Sequence, residues 1–142
     1  MTFEHSIEIK TYDIDFAGIV SNIVYVRWLE DMRIGILAPY YGMQEMVADG
    51  ISPILLETSI QYRRALRYGE SVSGRMAITE LSGVRWRLEA EFTVGEETAA
   101  TAEQSGIFVS LATGKPIRVP GRLRDAYESV AANPSRKQGA EQ

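Results

Sequence analysis

The sequence predicts an α+β fold in which an antiparallel sheet wraps around one long central helix. Apolar residues recur at helical spacing from Tyr25 to Leu37, whereas apolar and polar residues alternate in several segments after Ile54. Short turns that contain glycine separate the alternating segments. A sheet with one apolar face needs a cover, and the segment after Asn22 supplies the only long apolar helix that we recognise in the sequence.

Each element of this fold has a local signal. The loose alternation from Phe3 to Tyr12 predicts the first strand. Ser21 and Asn22 are good N-cap residues for the long helix, and Pro39 should end it. A short second helix is expected over Met43–Ala48.

Four more strands are predicted after these helices. They begin near Ile54, Val72, Val84 and Thr98, and the last one ends near Leu111. Because short turns join them, we expect an antiparallel meander of sequence neighbours. A short helix from Pro120 to Ala131 should follow.

Length and composition limit the functions that are possible. We expect a single domain over residues 1–132 and a disordered tail over 133–142. The net charge of −4 gives no reason to expect a nucleic-acid partner, and no apolar run indicates a membrane span. The sequence has no cysteine and a single histidine, His5. We therefore expect no metal and no cofactor, and a cytoplasmic location is compatible with the absence of cysteine.

Three segments resemble a known family. Asp13 to Val20, DIDFAGIV, followed by Tyr25, resembles the opening signature of the hotdog-fold acyl-CoA thioesterases of the 4-hydroxybenzoyl-CoA thioesterase type. Tyr25–Glu30 is similar to the start of that family's central helix, and Ile60–Glu70 to its second strand and the turn that follows. The resemblance implies a hotdog fold and hydrolysis of an acyl-CoA thioester to the free acid and CoA. It also implies a homodimer or homotetramer in which sheets join edge to edge and the site lies at the interface.

The resemblance also implies roles for two residues. Asp15 occupies the position of the aspartate that attacks the thioester carbonyl or activates water against it, and the backbone N–H of Asn22 occupies the position that polarises this carbonyl. Many relatives carry other residues where this chain has Ser21-Asn22-Ile23-Val24. The Asn22 side chain instead resembles the asparagine that orients the acyl group or water in related thioesterases.

The chemistry of the segment around Asp15 is consistent with these roles. Thioester hydrolysis needs a nucleophile or base near the carbonyl, together with donors aimed at its oxygen. A helix start supplies free N–H groups and the positive end of the helix dipole, and Gly18 allows the backbone to approach a ligand closely. Considered alone, Asp15 is better interpreted as a turn former or as a charge that compensates the helix dipole, and the surrounding pattern is what favours catalysis. Asp13 could assist it, although a structural hydrogen bond is the better interpretation.

Five further residues are candidates for substrate binding, each with a structural alternative. Glu57 and Ser59 would orient water from across the interface, or would simply be the solvent side of a strand. Arg64 and Arg85 would bind the phosphates of coenzyme A, or would be solvated positions that discourage aggregation. Tyr25 would border the acyl pocket, or would belong to the core.

Three other functions compete with acyl-CoA hydrolysis. An acyl-carrier-protein thioesterase would use the same chemistry on a different carrier. A non-catalytic acyl-binding subunit is less compatible with the presence of Asp15 and Gly18. A hotdog dehydratase would need a histidine paired with an acid, and His5 lies far from Asp15 in the sequence.

Overall fold

A computed structural model describes residues 1–132, and the tail predicted over 133–142 lies outside them. The elements in chain order are β1 (Thr2–Glu8), α1 (Asn22–Leu37), α2 (Met43–Ala48), β2 (Ile51–Tyr62), β3 (Ser71–Ser82), β4 (Arg85–Val94), β5 (Glu97–Ser110), β6 (Pro116–Ile117) and α3 (Gly121–Ala132). The strands form one antiparallel sheet in the order β1-β3-β4-β5-β2, with β6 beside β5. An antiparallel sheet packed with helices is the predicted α+β class. The described residues contain three α-helices, of which α1 is the longest, and a short 3-10 helix over Thr11–Asp13.

Helix α1 agrees closely with its sequence pattern. Ser21 has the extended conformation of an N-cap residue, and the last helical hydrogen bond runs from the Ala38 N–H to the Ile34 oxygen, directly before Pro39. All the positions in the predicted apolar stripe are buried, namely Tyr25, Trp28, Leu29, Met32, Ile36 and Leu37. This stripe is the centre of the core.

The sheet has two unlike faces, and the strict alternation of β4 shows them most clearly. In β4 the side chains of Trp86, Leu88, Ala90 and Phe92 are buried, whereas those of Arg85, Arg87, Glu89 and Glu91 are exposed. We call the buried face, which shares the core with α1, the inner face. The opposite face, which is exposed and mostly charged, is the outer face.

The predicted meander is correct for β3, β4 and β5 and wrong for β2. Strand β2 pairs with β5 at one edge of the sheet, and β1 takes the place beside β3. The 63–70 connection between β2 and β3 is therefore a crossover and not a hairpin. Its backbone is held by contacts outside the strand ladder, because Arg63 and Arg64 both donate their N–H groups to the Ala99 oxygen, at 2.8 and 3.0 Å.

Two predicted strand boundaries also move. Strand β1 ends at Glu8 and not at Tyr12, because the chain turns where the Asp13 carboxylate accepts the Lys10 N–H at 2.8 Å. Strand β2 begins at Ile51, three residues before the predicted start, and includes Pro53. A proline lacks a donor, and an edge strand tolerates that loss.

Candidate active site

A tight turn over residues 15–18, which we call the Asp15 turn, precedes α1. An isolated bridge pairs Ile14 with Val20, and within it the Gly18 N–H donates to the Asp15 carbonyl oxygen at 3.0 Å. Gly18 has a φ of +79°, a conformation that favours glycine. The Ala17 N–H donates to Asp15 Oδ1 at 2.8 Å. The half-buried carboxylate is thus oriented through Oδ1, and Oδ2 has no hydrogen-bond partner within residues 1–132.

The start of α1 presents free donors close to this turn in the chain. The Ser21 N–H donates to the Asp13 carbonyl oxygen at 2.9 Å, and the Val24 N–H donates to the Ser21 oxygen at 3.0 Å. Between them, the N–H groups of Asn22 and Ile23 have no acceptor in the described part of the chain. The Asn22 side chain is exposed. This end of the helix can therefore bind a developing negative charge.

Asp13 anchors the segment and does not share in this open site. Its side chain is buried, and its carboxylate accepts the Lys10 N–H while its carbonyl accepts the Ser21 N–H. Asp13 therefore has the structural role that the sequence favoured.

The 63–70 connection lies beside the same region, since the Val20 N–H donates to the Leu66 oxygen at 2.9 Å. Here Arg64 is paired with Glu70 at 2.6 Å and with Glu97 at 3.0 Å. The hydrogen bond from Arg64, together with the Arg67 N–H, holds the pKa of the Glu70 carboxyl below its ordinary value. A phosphate that binds Arg64 would have to compete with these carboxylates.

Tyr25 lies in the first turn of α1 and is almost completely buried. Its ring makes edge contacts with Tyr62, Trp28 and Phe92 at centroid distances of 5.1, 5.2 and 5.5 Å. Burial, with smaller contributions from Tyr62 and Glu70, raises the pKa of Tyr25 to about 12. Tyr62 is 48% exposed and belongs to edge strand β2, so this aromatic cluster connects the helix start to the edge of the sheet.

The structure does not bring Glu57 and Ser59 to the Asp15 turn of the same chain. Ser59 pairs with Glu103 on the outer face, while its neighbours Thr58 and Ile60 pair with the buried residues Gln104 and Ala102 on the inner face. Both Glu57 and Ser59 are exposed.

Arg85 is also distant from the helix start within one chain. It begins β4, whereas Phe92, which contacts Tyr25, lies near the other end of that strand. Seven residues of extended chain separate the two positions by roughly 23 Å. Arg85 is exposed and makes no ion pair within residues 1–132.

Sequence reasoning did not single out a polar network beneath α1. Arg33 Nη1 donates to Gln104 Oε1 at 2.7 Å, and Gln104 Nε2 donates to Thr58 Oγ1 at 3.0 Å. A signal existed in the sequence, because Gln104 interrupts the small and apolar inward positions of β5 and Arg33 follows the buried Leu29 by one helical turn.

Comparison with known proteins decides the family. A model of the thioesterase-like superfamily matches residues 9–131, which include the Asp15 turn, α1 and the 63–70 connection. The chain belongs to this superfamily. It is a hotdog-fold thioesterase of the 4-hydroxybenzoyl-CoA thioesterase-like family, and thus a thioester hydrolase.

Individual relatives agree with this membership. The chain is 27% identical over 132 residues to a putative esterase of Aquifex aeolicus, covering 90% of this chain and 99% of the relative. It is 26% identical over 126 residues to the long-chain acyl-CoA thioesterase FadM of Escherichia coli, covering 87% and 96%.

Solved structures share the fold at lower identity. The crystal structure of a 1,4-dihydroxy-2-naphthoyl-CoA thioesterase from Synechocystis superposes with a TM-score of 0.84 at 19% identity, covering 92% of this chain and 98% of that one. No helix within residues 1–132 is long and apolar enough to cross a membrane.

Proposed function

We propose that this protein hydrolyses acyl-CoA thioesters, with Asp15 as nucleophile or general base and the Asn22 N–H as oxyanion donor. One observation carries the proposal. The Asp15 carboxylate, which is oriented through Oδ1 and has Oδ2 free, lies just before the start of α1 in the chain, where the N–H groups of Asn22 and Ile23 are also free. The proposal includes a cytoplasmic location and needs no metal.

The chemistry follows from these two groups. As a general base, Asp15 Oδ2 takes a proton from water while the water oxygen bonds to the thioester carbon. The carbonyl oxygen becomes negative and accepts the Asn22 N–H, where the helix dipole stabilises it. When the C–S bond breaks, the thiolate of coenzyme A takes up the proton and the free acid remains. As a nucleophile, Asp15 instead bonds to the carbon itself, the C–S bond breaks, and the coenzyme A thiolate leaves and takes up a proton from water. A second water then hydrolyses the mixed anhydride, which releases the free acid and restores the Asp15 carboxylate.

The proposed active form is a homodimer, or a tetramer made of two such dimers, in which α1 is the central helix of each subunit. Strand β2 forms one edge of the sheet and is rich in exposed apolar side chains: Ile54, Leu55 and Leu56 are 38%, 36% and 62% exposed. An unpaired apolar edge invites another strand. A second copy of β2 would cover this one symmetrically.

Antiparallel pairing of two β2 strands would complete the site from both subunits. Tyr62 at the end of β2 contacts Tyr25 at the start of α1, whereas Pro53 and Leu55 near the beginning of β2 lie beside the C-terminal half of α1. A twofold axis sets the beginning of one strand against the end of the other. Each helix start then lies beside the C-terminal half of the partner's α1.

This pairing also suggests how the remaining candidates take part. Arg85 lies at the same end of the sheet as the beginning of β2, because Arg85 and Ile54 both pair with Ile107. In the proposed dimer, Arg85 of one subunit lies nearer to the helix start of the other subunit than to its own. Arg85, together with Arg64, is proposed to bind coenzyme A phosphates, while Glu57 and Ser59 serve the partner's site.

The direct test is a panel of acyl-CoA and acyl-carrier-protein thioesters with release of free thiol as the measurement. We expect hydrolysis of acyl-CoA esters. If only carrier-protein esters are hydrolysed, the protein is an acyl-carrier-protein thioesterase and not an acyl-CoA thioesterase. Binding of the esters without turnover would show an acyl-binding subunit.

A further inference from the structure

A cavity of about 240 Å³ lies between the C-terminal half of α1 and the inner face of the sheet. Most of its wall is apolar, with contributions from Ile34, Leu37, Leu55, Leu81, Leu88 and Trp86. A single water needs only about 10–15 Å³, whereas small-molecule sites usually offer about 300–1,000 Å³. The cavity therefore fits a short chain or a single ring.

The floor of this cavity depends on a glycine. Gly106 lies in β5 opposite Trp86, and a Cβ atom at this position would overlap the Trp86 ring and the Ile54 carbonyl oxygen. The missing side chain allows the indole to lie across β5, where its Nε1 donates to the Ile107 oxygen at 3.2 Å. The cavity is consequently a built feature with a rigid floor and not a packing defect.

One part of the cavity wall is polar and carries an unpaired cation. Arg33 is half-buried, and its Nη1 is fixed by Gln104, which is itself 1% exposed. Arg33 makes no ion pair within residues 1–132, and burial lowers the pKa of its guanidinium while Glu30 partly opposes that change. A cation that is partly removed from water and makes no ion pair is costly unless a ligand supplies an acceptor.

The charges around the cavity favour an oxygen that accepts hydrogen bonds. Glu30, Arg33 and Arg87 are the charged residues that line it, but the Arg87 side chain belongs to the outer face, so Arg33 supplies the positive charge beneath α1. The guanidinium of Arg33 has five N–H donors, and Gln104 occupies one of them. Its remaining donors can bind a hydroxyl or carboxylate oxygen.

We propose that this cavity holds the acyl group of a thioester whose carbonyl is bound at the partner's helix start, and that Arg33 binds an oxygen at the far end of that acyl group. The inference rests on the proposed function and its antiparallel dimer. The substrate is thus a short acyl thioester that ends in a hydroxyl or a carboxylate and not in a methyl group.

The test compares three six-carbon thioesters of coenzyme A, namely hexanoyl, 6-hydroxyhexanoyl and adipoyl. The native protein should prefer one or both of the oxygenated esters. Replacing the guanidinium in Arg33→Met should lower kcat/KM for the preferred ester by at least about tenfold, mainly through KM, and leave hexanoyl-CoA within about threefold. Arg27→Met, an exposed change on the same helix, should alter none of the three.

The outcomes separate this inference from the proposed function. No preference for an oxygenated ester, or an equal loss on all three esters in Arg33→Met, would overturn the role of Arg33 while hydrolysis itself stands. Failure of the native protein to hydrolyse any ester would instead remove the proposed function.

A second variant keeps the cavity testable if Arg33→Met does not fold. Ile34 is 47% exposed and lines the cavity, so Ile34→Trp should fill it with Arg33 intact. We expect KM for the six-carbon esters to rise at least about tenfold while acetyl-CoA is hydrolysed as before. An unchanged ratio of six-carbon to acetyl turnover would exclude the cavity as the acyl site.

Mixed dimers test which subunit supplies the cavity. Coexpressed Asp15→Asn and Ile34→Trp subunits form heterodimers. If Asp15 and the cavity of one site come from different chains, one of the two sites in each heterodimer has both parts native. If they come from the same chain, neither site does. At substrate concentrations well below the native KM, such a mixture should recover roughly a quarter of the native rate on the six-carbon esters, above the rate of either parent. A mixture no more active than the Ile34→Trp parent would overturn the placement of the cavity opposite the partner's helix start.

Discussion

The two halves of α1 differ in what they present to a ligand. The first turn presents backbone N–H groups of Asn22 and Ile23 near Asp15 in the chain, whereas eleven residues after Asn22 the side chain of Arg33 contributes to the wall of a mostly apolar cavity. Backbone donors are insensitive to the residue type, so the proposed oxyanion site at the helix start would serve any thioester. The cavity is made of side chains, so its preference changes with single substitutions. Changes in the first half should thus affect the rate of the reaction, and changes in the second half the choice of substrate or the stability.

The largest effect is expected at Asp15. Asp15→Asn keeps the size of the side chain but removes the negative charge, so kcat should fall by at least about a hundredfold while binding of the acyl-CoA persists. Steady-state kinetics and isothermal titration calorimetry measure the two quantities. Asp31→Asn, an exposed carboxylate in the middle of α1, is the matched control and should retain activity. Turnover by Asp15→Asn within a few-fold of native would contradict the assignment and make Glu57 the next carboxylate to test.

Around the cavity beside the second half of α1, the largest effect should be on the free energy of unfolding. The methyl group of Gly106→Ala would overlap the Ile54 carbonyl oxygen and the Trp86 ring, so the free energy of unfolding should fall by about 1–3 kcal/mol. Urea denaturation followed by circular dichroism measures this. In Gly121→Ala the added methyl group meets only the Arg124 side chain, at 3.6 Å, and stability should be nearly unchanged. Equal stability of the two variants would mean that the floor of the cavity is not rigid.

Arg64 lies in the connection beside the start of α1, whereas Arg85 lies at the end of the sheet near its second half, so the two arginines compare these regions in the binding of coenzyme A. Each substitution by alanine should raise KM by about three- to tenfold with a smaller effect on kcat, because a contact at the rim stabilises ground and transition states alike. Arg85→Ala should have the larger effect, since Arg64 is already paired with Glu70 and Glu97. Arg118→Ala, at an exposed position before α3, is the control. If KM is unaltered in both variants, other residues bind the carrier.

The smallest effect is expected from Asn22→Ala. The variant keeps the backbone N–H, and Ser21 remains the N-cap residue, so kcat should stay within about threefold of native. Single-turnover kinetics would detect a change in the chemical step. A loss that approaches the one expected for Asp15→Asn would show that the Asn22 side chain itself orients water or the acyl group.

The sequence alone was sufficient for the elements that local patterns specify. The helical spacing of apolar residues predicted α1 and its buried stripe, and the strict alternation of apolar and polar residues predicted β4. Both patterns arise because each element must turn one face to the core. The turn at Gly18 and the start of α1 were predicted for a similar reason, because a turn glycine and the first residues of a helix are local features of the chain. The role of Asp15 stays a prediction.

Only the tertiary structure decided how distant segments meet. Strand order depends on which edge each crossover reaches, so the sequence placed β2 beside β3 whereas the structure pairs it with β5. That pairing leaves the apolar edge of β2 unpaired, brings Thr58 to Gln104 and thereby orients Arg33. Arg33 and Gln104 are separated by 71 positions. Periodicity within one element carries no information on such a contact, since it arises only when helix and sheet pack against each other.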